Sequence, residues 1–399
     1  MTARGFAAAR VVTCDPERGT ALGTVENGAV VFEHGRIAFV GARAHAPSGV
    51  VLEDLGQRVI TPGFIDAHTH ACWVGSRHAE YAQRMAGRSY AEIARAGGGI
   101  LSTHRAVTAA SEDELVETLA RRLRRMASLG TTTVEVKSGY GLDAMQEKKQ
   151  LAAIRRAGSR NDAPAVVPTL LALHALPGDA IDRSEYVSRV ARELVPEVAS
   201  QGLAHFVDAY VDTHAFTVAE AYAVGKAARD AGLGVRLHVG QFADVGGAEL
   251  GAELGAASVD HLEHISRPAI EALVRARVAG VLLPVASFSL AQAAPPIALM
   301  REAGLELVVA SDANPGTAPT ESLPLAMALA VRSYGLSIAE AILGATRNAA
   351  AALRLSDRGV LRVGLRADLA LWDLPSEEAI VQPWGVSRVY RVLVEGREI

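Results

Sequence analysis

Hydrophobic and polar positions divide the chain into three stretches of different character. From Val11 to about Ile60 the pattern is strand-like, and GAVVFEHGRIAFVG carries apolar, β-branched runs on either side of Glu33-His34-Gly35-Arg36, which predicts a hairpin. The far end, RADLALWDL and VYRVLVEGREI, again clusters apolar residues around short polar turns. Because chain ends commonly lie close together, residues 1–60 and 361–399 are expected to join into one small β-sandwich domain, with the rest inserted between them.

The middle, residues 61–360, alternates short apolar strands with helical stretches, the order of a parallel α/β architecture. The candidate strands are VITPGFIDAHTH, GTTTVEVKSG, PAVVPTLLALHA, HFVDAYVDTHA, GVRLHV, SVDHLEH, GVLLPVAS and ELVVASDAN. Between them lie segments such as SEDELVETLARRLRRMASLG, in which Ser111 and Glu114 form a capping-box signature and Gly130 follows the last turn. Eight βα units predict a closed (β/α)8 barrel of the TIM type.

Nearly every candidate strand carries a polar or ionisable residue at its carboxyl end, where barrel enzymes build their sites. In order these are His68 and His70, Lys137, His174, Asp212 and His214, His238, His261 and His264, Ser287, then Asp312 and Asn314. Any one alone reads as a hydrogen-bonded core residue; their common position reverses that reading.

Composition narrows the classes. The chain has 399 residues, half of them hydrophobic, 21% charged, with a formal net charge of -4, so neither a nucleic-acid partner nor a disordered polar chain is expected. Cys14 and Cys72 are too few for a disulfide framework, which makes a cytoplasmic setting the default expectation. No export signal stands out in MTARGFAAARVVTCDPERG, and no apolar run approaches the roughly 20 residues that cross a bilayer. Cys72 reads as a packed thiol rather than a nucleophile. Gly97-Gly98-Gly99 lacks the following Lys-Ser/Thr of a phosphate loop and is expected as a mobile loop near the site.

Residues two apart on a strand share a face, so His68 and His70 can aim both imidazoles at one ion. His238 on strand five and Asp312 on strand eight are placed to complete the set around the ring. Imidazole and carboxylate ligands suit one zinc or iron ion, with zinc slightly favoured, and such an ion supplies hydroxide from bound water for hydrolysis.

These residues carry a family resemblance. TPGFIDAHTH, the strand-five and strand-six histidines and the strand-eight aspartate resemble the amidohydrolase superfamily over nearly the whole chain. Members with two metals bridge them through a strand-four lysine; HFVDAYVDTHA has none, so the resemblance implies a mononuclear site. Lys137, on strand two, would not bridge and is expected in an ordinary structural or electrostatic role. The runs HACWVGSRHAEY, AGGGILSTHRAV, SLGTTTVEVKSGYGL, ALHA, LHVGQF, VDHLEH and SDANPGTAPTES are similar to the imidazolonepropionase family. The resemblance implies hydrolysis of 4-imidazolone-5-propanoate to N-formimidoyl-L-glutamate, a homodimer, and metal ligands His68, His70, His238 and Asp312. It implies substrate contacts from Arg77 to a carboxylate, Tyr140 and His174 to ring and tail, Gln241 by hydrogen bonding, and Asn314, Gly316 and Thr317 from the loop after strand eight. Tyr90 stands between lining the pocket and packing a helix.

Two departures bear on mechanism. Related deaminases place a glutamate three residues after the strand-five histidine; here Gln241 stands there, which cannot accept and return a proton. Gly240 replaces a commoner acidic residue. The expected proton work falls to His261, orienting the attacking water and stabilising the oxyanion, and to Asp312, which both ligates and receives a proton, with His264 behind them. Another cyclic-amide hydrolase of hydantoinase or dihydroorotase type, an aminohydrolase, and a non-catalytic barrel scaffold remain the competing readings.

Overall fold

The computed structural model describes residues 3–89, 92–93, 96–178 and 182–399; Tyr90 lies outside the described residues. The first sheet begins with β1 (Arg4–Val11), then β2 (Val25–Glu33) and β3 (Arg36–Ala42), paired antiparallel as the predicted hairpin. Its two turn residues, His34 and Gly35, have φ of +51° and +78°, the left-handed pair that a tight two-residue hairpin demands. Strands β4 (Val51–Asp54) and β5 (Val59–Pro62) run parallel to successive halves of β1.

The chain then enters the barrel through β6 (Phe64–Asp66), β7 (Thr131–Lys137), β8 (Ala165–Leu173), β9 (Phe206–Val211), β10 (Gly234–Val239), β11 (Ser258–His261), β12 (Ala279–Leu282) and β13 (Leu307–Val309). Each predicted barrel strand is present, and each pairs in parallel with the next. The seam between β13 and β6 is joined beyond the strand ends by a Thr69–Ala313 bridge, with the Asp312 amide donating to His68 O (3.1 Å) and the His70 amide to Ala313 O (3.0 Å). The first and last candidate ligand segments are therefore hydrogen-bonded neighbours.

After the barrel, β14 (Leu369–Trp372) returns to pair antiparallel with β5, followed by β15 (Val389–Val394) and β16 (Arg397–Glu398). Both ends of the chain thus build one mixed sheet. Arg36, at the start of its outer strand β3, bridges Arg366, so the sheet folds over onto its own core of Phe6, Val30, Phe32, Ile60, Leu369, Leu371 and Leu393.

Two local rules divide what the apolar pattern reads as continuous. VITPGFID splits at Gly63 into β5 and β6, one for each sheet; a Cβ at Gly63 would meet Thr132 Cγ2 at 2.1 Å, so only glycine passes there. GVLLPVAS ends as a strand at Leu282, because Pro284 is preset for the first turn of a helix, Pro284–Leu290, which carries Ser287.

The helix Glu112–Ala127 shows how the outer layer is held. Ser111 caps it by accepting from the Glu114 amide, and Leu115, Leu119, Leu123 and Met126 recur at helical spacing on the buried face. Each such side chain contributes about 1.5–3 kcal/mol by leaving water. Where the chain turns into β7, Gly130 has φ +96°, and a Cβ there would strike Trp372 Cη2 at 2.6 Å. Trp372 in turn packs on Phe64, ring centroids 5.1 Å apart, and donates its indole N–H to Thr61, fastening the terminal sheet to the barrel. Among the described residues no helix is long and apolar enough to cross a membrane.

Candidate active site

At the carboxyl mouth of the barrel His68, His70 and His238 each offer a ring nitrogen within 4.8 Å of the others, all buried. Past β6 Thr69 bridges Ala313, and His68 and His70, on either side of it, bring their ring centroids to 5.3 Å from each other. His238 comes from β10, its Nε2 3.2 Å from His70 Nε2. Asp312, which has left-handed φ (+55°), brings Oδ1 to 3.6 Å from His68 Nε2 and 3.5 Å from His70 Nε2.

Carboxylates behind the rings orient them. His68 Nδ1 lies 2.6 Å from Asp260 Oδ2, and His238 Nδ1 lies 3.0 Å from Asp208 Oδ1. Each Nδ1 donates its hydrogen to a carboxylate, leaving a lone pair on Nε2. His68 Nε2 is buried without a hydrogen-bond partner. Burial, reinforced by neighbouring cationic groups, holds all three histidines well below the usual imidazole range, so they stand neutral. Burial also pushes the Asp312 carboxyl up to about 7, a penalty that a cation between the four groups would remove. Converging neutral imidazoles, an orphaned His68 Nε2 and one carboxylate fit a divalent transition-metal ion.

Around this centre the structure brings together most of the other predicted residues. His261 ends β11 with φ +88°, a strained conformation of the kind concentrated at reactive sites, and its ring centroid lies 5.5 Å from that of His238. Burial lowers its affinity for a proton, but Glu263 and Asp312 more than offset this and leave its pKa raised. His174 stacks on His70 at 5.2 Å and is fixed through Nδ1 by Gly139 O (2.7 Å); burial draws it down to about 4. Tyr140 packs against both rings. Gln241 is buried and accepts from Tyr210 OH at 2.7 Å.

Arg77 is held by Glu80 (Nε to Oε2, 2.8 Å), and its guanidinium lies so close to Gly316 that a Cβ there would come within 2.2 Å of Nη1. Glu80 also accepts from the Gly99 amide at 3.2 Å, tying the glycine run to the arginine. Asn314 is turned into its own loop: its Nδ2 donates to Asp312 O (2.7 Å), and its Oδ1 accepts from the Gly316 and Thr317 amides, each at 2.8 Å.

Other polar strand ends stand apart. His214 and His264 have exposed side chains. Asp212 is buried as a loop clasp, accepting from the Thr213 and Phe242 amides. Cys72 is fully buried and its thiol is pushed up to about 12, a packed and inert group as the sequence reading expects.

Sequence reasoning missed several supporting residues. Glu263 sits 3.8 Å from His261 Nδ1 and accepts from Ser287, whose hydroxyl also lies 2.5 Å from Tyr334 OH. Gln150 bridges two loops, accepting from the Tyr140 amide and donating to Cys72 O. Glu147 accepts from the Gly139 and Leu142 amides and so shapes the KSGYG turn. The Glu in VDHLEH, two positions after His261, is the one sequence signal available for any of these.

The sequence profile of the Amidohydrolase family matches residues 59–399. The imidazolonepropionase of Methylobacterium nodulans is 44% identical over 393 residues, covering 98% of each chain, and that of Acidiphilium cryptum is 44% identical over 392 residues, covering 97% of each. Among solved structures, an adenosine deaminase from Xanthomonas campestris with bound zinc superposes with a TM-score of 0.70 at 20% identity, over 99% of this chain and 92% of that one. An atrazine chlorohydrolase from Arthrobacter aurescens complexed with zinc gives 0.70 at 18%, over 99% and 94%. At such identities these two share the fold alone. The profile match and the near-full-length relatives together show that this chain belongs to the amidohydrolase family and, within it, to the imidazolonepropionase family.

Proposed function

We propose that this chain hydrolyses 4-imidazolone-5-propanoate at a ring C–N bond, producing N-formimidoyl-L-glutamate in histidine degradation. The observation that carries the reading is the convergence of His68, His70, His238 and Asp312 at one point of the barrel mouth; near-full-length likeness to imidazolonepropionases supplies the substrate. These four residues hold one ion per subunit, zinc ahead of iron. When bound, that ion makes water acidic enough to provide hydroxide near neutral pH.

The remaining work belongs to the side chains. Arg77 pairs with the propanoate carboxylate in the fork geometry that guanidinium provides. Tyr140 and His174 bracket the ring, Gln241 hydrogen-bonds it, and the loop of Asn314, Gly316 and Thr317 closes over the tail. His261 orients the attacking water and stabilises the oxyanion. Asp312 takes the water's proton and returns it to the departing ring nitrogen. We also read residues 1–60 with 361–399 as one domain and 61–360 as the barrel domain of a cytoplasmic homodimer.

Ring opening of imidazolone propanoate measured against hydantoin and dihydroorotate tests the substrate. Turnover of the imidazolone alone is expected, and preferred turnover of either alternative would overturn the assignment. His261→Asn is expected to cost 10²–10⁴-fold in kcat with metal content unchanged; near-normal turnover would remove His261 from its role.

A further inference from the structure

Beneath the candidate metal centre the barrel interior holds five fully buried charged side chains: Glu135, Lys137, Asp208, Arg236 and Asp260. Lys137 and Glu135 are two apart on β7 and face inward together. The Lys137 ammonium donates to Glu135 Oε1 at 2.8 Å, lies 2.8 Å from Asp208 Oδ2, and stands 4.0 Å from Asp260 Oδ2. Each of those carboxylates holds a different part of the centre. Glu135 Oε2 accepts from the Thr69 amide (3.1 Å), the residue between His68 and His70. Asp208 holds His238 Nδ1, and Asp260 holds His68 Nδ1.

From this geometry we infer that Lys137 is a positioning residue: one ammonium gathers the three carboxylates that aim the metal-ligand histidines, so the ligand set is assembled before any ion arrives. The inference rests on the proposed metal site and deepens it. Three carboxylates without water and without a cation would repel one another and spread, or take up protons and lose their hold on the imidazole hydrogens. Arg236 answers part of this, lying 3.0 Å from Asp260 Oδ2 and donating to Ala67 O at 2.7 Å, but it forms no hydrogen bond or ion pair with Glu135 or Asp208. Of these two cations, Lys137 is the one that touches both. Burial pulls the ammonium down and Asp208 with Glu135 more than offset it, so it stays charged. Arginine would not substitute, because its planar fork cannot occupy a point between three acceptors.

The test uses the full-length double variant Glu135→Gln/Lys137→Met, which removes one charge of each sign and so keeps the interior balance, beside the wild type. Each protein, stripped of metal, is titrated with cobalt(II), reading the visible absorption of the bound ion. Wild type is expected to bind, and the double variant to bind 10–100-fold more weakly with an altered spectrum, the scale on which groups supporting metal ligands act. Equal affinity and an unchanged spectrum would overturn the role of Lys137 while leaving the metal reading intact; failure of the wild type to bind cobalt, zinc or iron would overturn the metal reading itself. Should the double variant not fold, proton NMR of ¹⁵N-histidine-labelled, metal-free wild type decides. The Nδ1 hydrogens of His68 and His238 are expected as slowly exchanging, low-field resonances that stay in place on adding metal; their absence before metal is added would rule out assembly in advance.

Discussion

His70 Nε2 and His238 Nε2 stand 3.2 Å apart, and the second of them has its Nδ1 hydrogen committed to Asp208. Two ring nitrogens at that distance need a proton or a cation between them, and beside them His68 Nε2 has no hydrogen-bond partner at all. Stripping the ion with a chelator is therefore expected to abolish turnover and lower the free energy of unfolding, by about 4 kcal/mol relative to protein kept at a thousand times the Kd of free ion. Denaturant unfolding with and without zinc or ferrous iron measures this. Unchanged turnover and unfolding after verified metal removal would contradict it.

Gly240 adopts φ +65°, and a Cβ there would meet the His264 carbonyl oxygen at 2.7 Å. That carbonyl belongs to a tight turn in which the His264 amide donates to Gly240 O at 2.7 Å. In this backbone a side chain is strained twice over, so Gly240→Ala is expected to cost about 1–3 kcal/mol of stability. Gly240→Asp should recover none of it. The glycine that departs from the commoner acidic residue is thus explained by conformation, and chemical denaturation of the two variants checks it.

Arg77 and Gly316 meet so closely that the loop after β13 and the loop after β6 share one surface. Losing a charged hydrogen-bond donor costs roughly 1.5–3 kcal/mol, so Arg77→Met is expected to lower kcat/KM ten- to a hundred-fold, mainly through KM. A substrate whose tail carboxylate is replaced by an amide should lose a similar factor with wild type and little more with Arg77→Met. Independent, additive losses would place the carboxylate elsewhere.

Glu220 completes a capping box with Thr217 and pairs with Arg183 at 2.5 and 2.8 Å, which holds its carboxyl down at about 2. A depressed folded-state value means the contribution is fully present above the ordinary value of 4.5 and is lost as pH falls from there toward about 2. Glu220→Gln is expected to be less stable than wild type at neutral pH and to converge with it over that window. Arg183 is partly exposed, so added salt should shrink the difference. Stability measured against pH at low and high salt tests both statements.

Local chemistry in the sequence determined a good deal. Period-two spacing paired His68 with His70, apolar runs on either side of Glu33-His34-Gly35-Arg36 marked the β2–β3 hairpin, Ser111 and Gly130 marked the ends of a helix, and the order of strands and helices carried the barrel. Those features depend on neighbours a few residues apart, and a linear chain records them directly. Only the tertiary structure decided that Thr69 and Ala313 join the first and last strands, that the expected terminal β domain is one mixed sheet folded over through Arg36 and Arg366, and that VITPGFID is cut at Gly63 by the nearness of Thr132. It alone placed Lys137 among Glu135, Asp208 and Asp260, and Glu263 beside His261, while leaving His214 and His264 facing outward. Burial and partnership of a charged side chain are set by residues up to a hundred or more positions away, because barrel closure, not sequence proximity, determines which strand ends face one another.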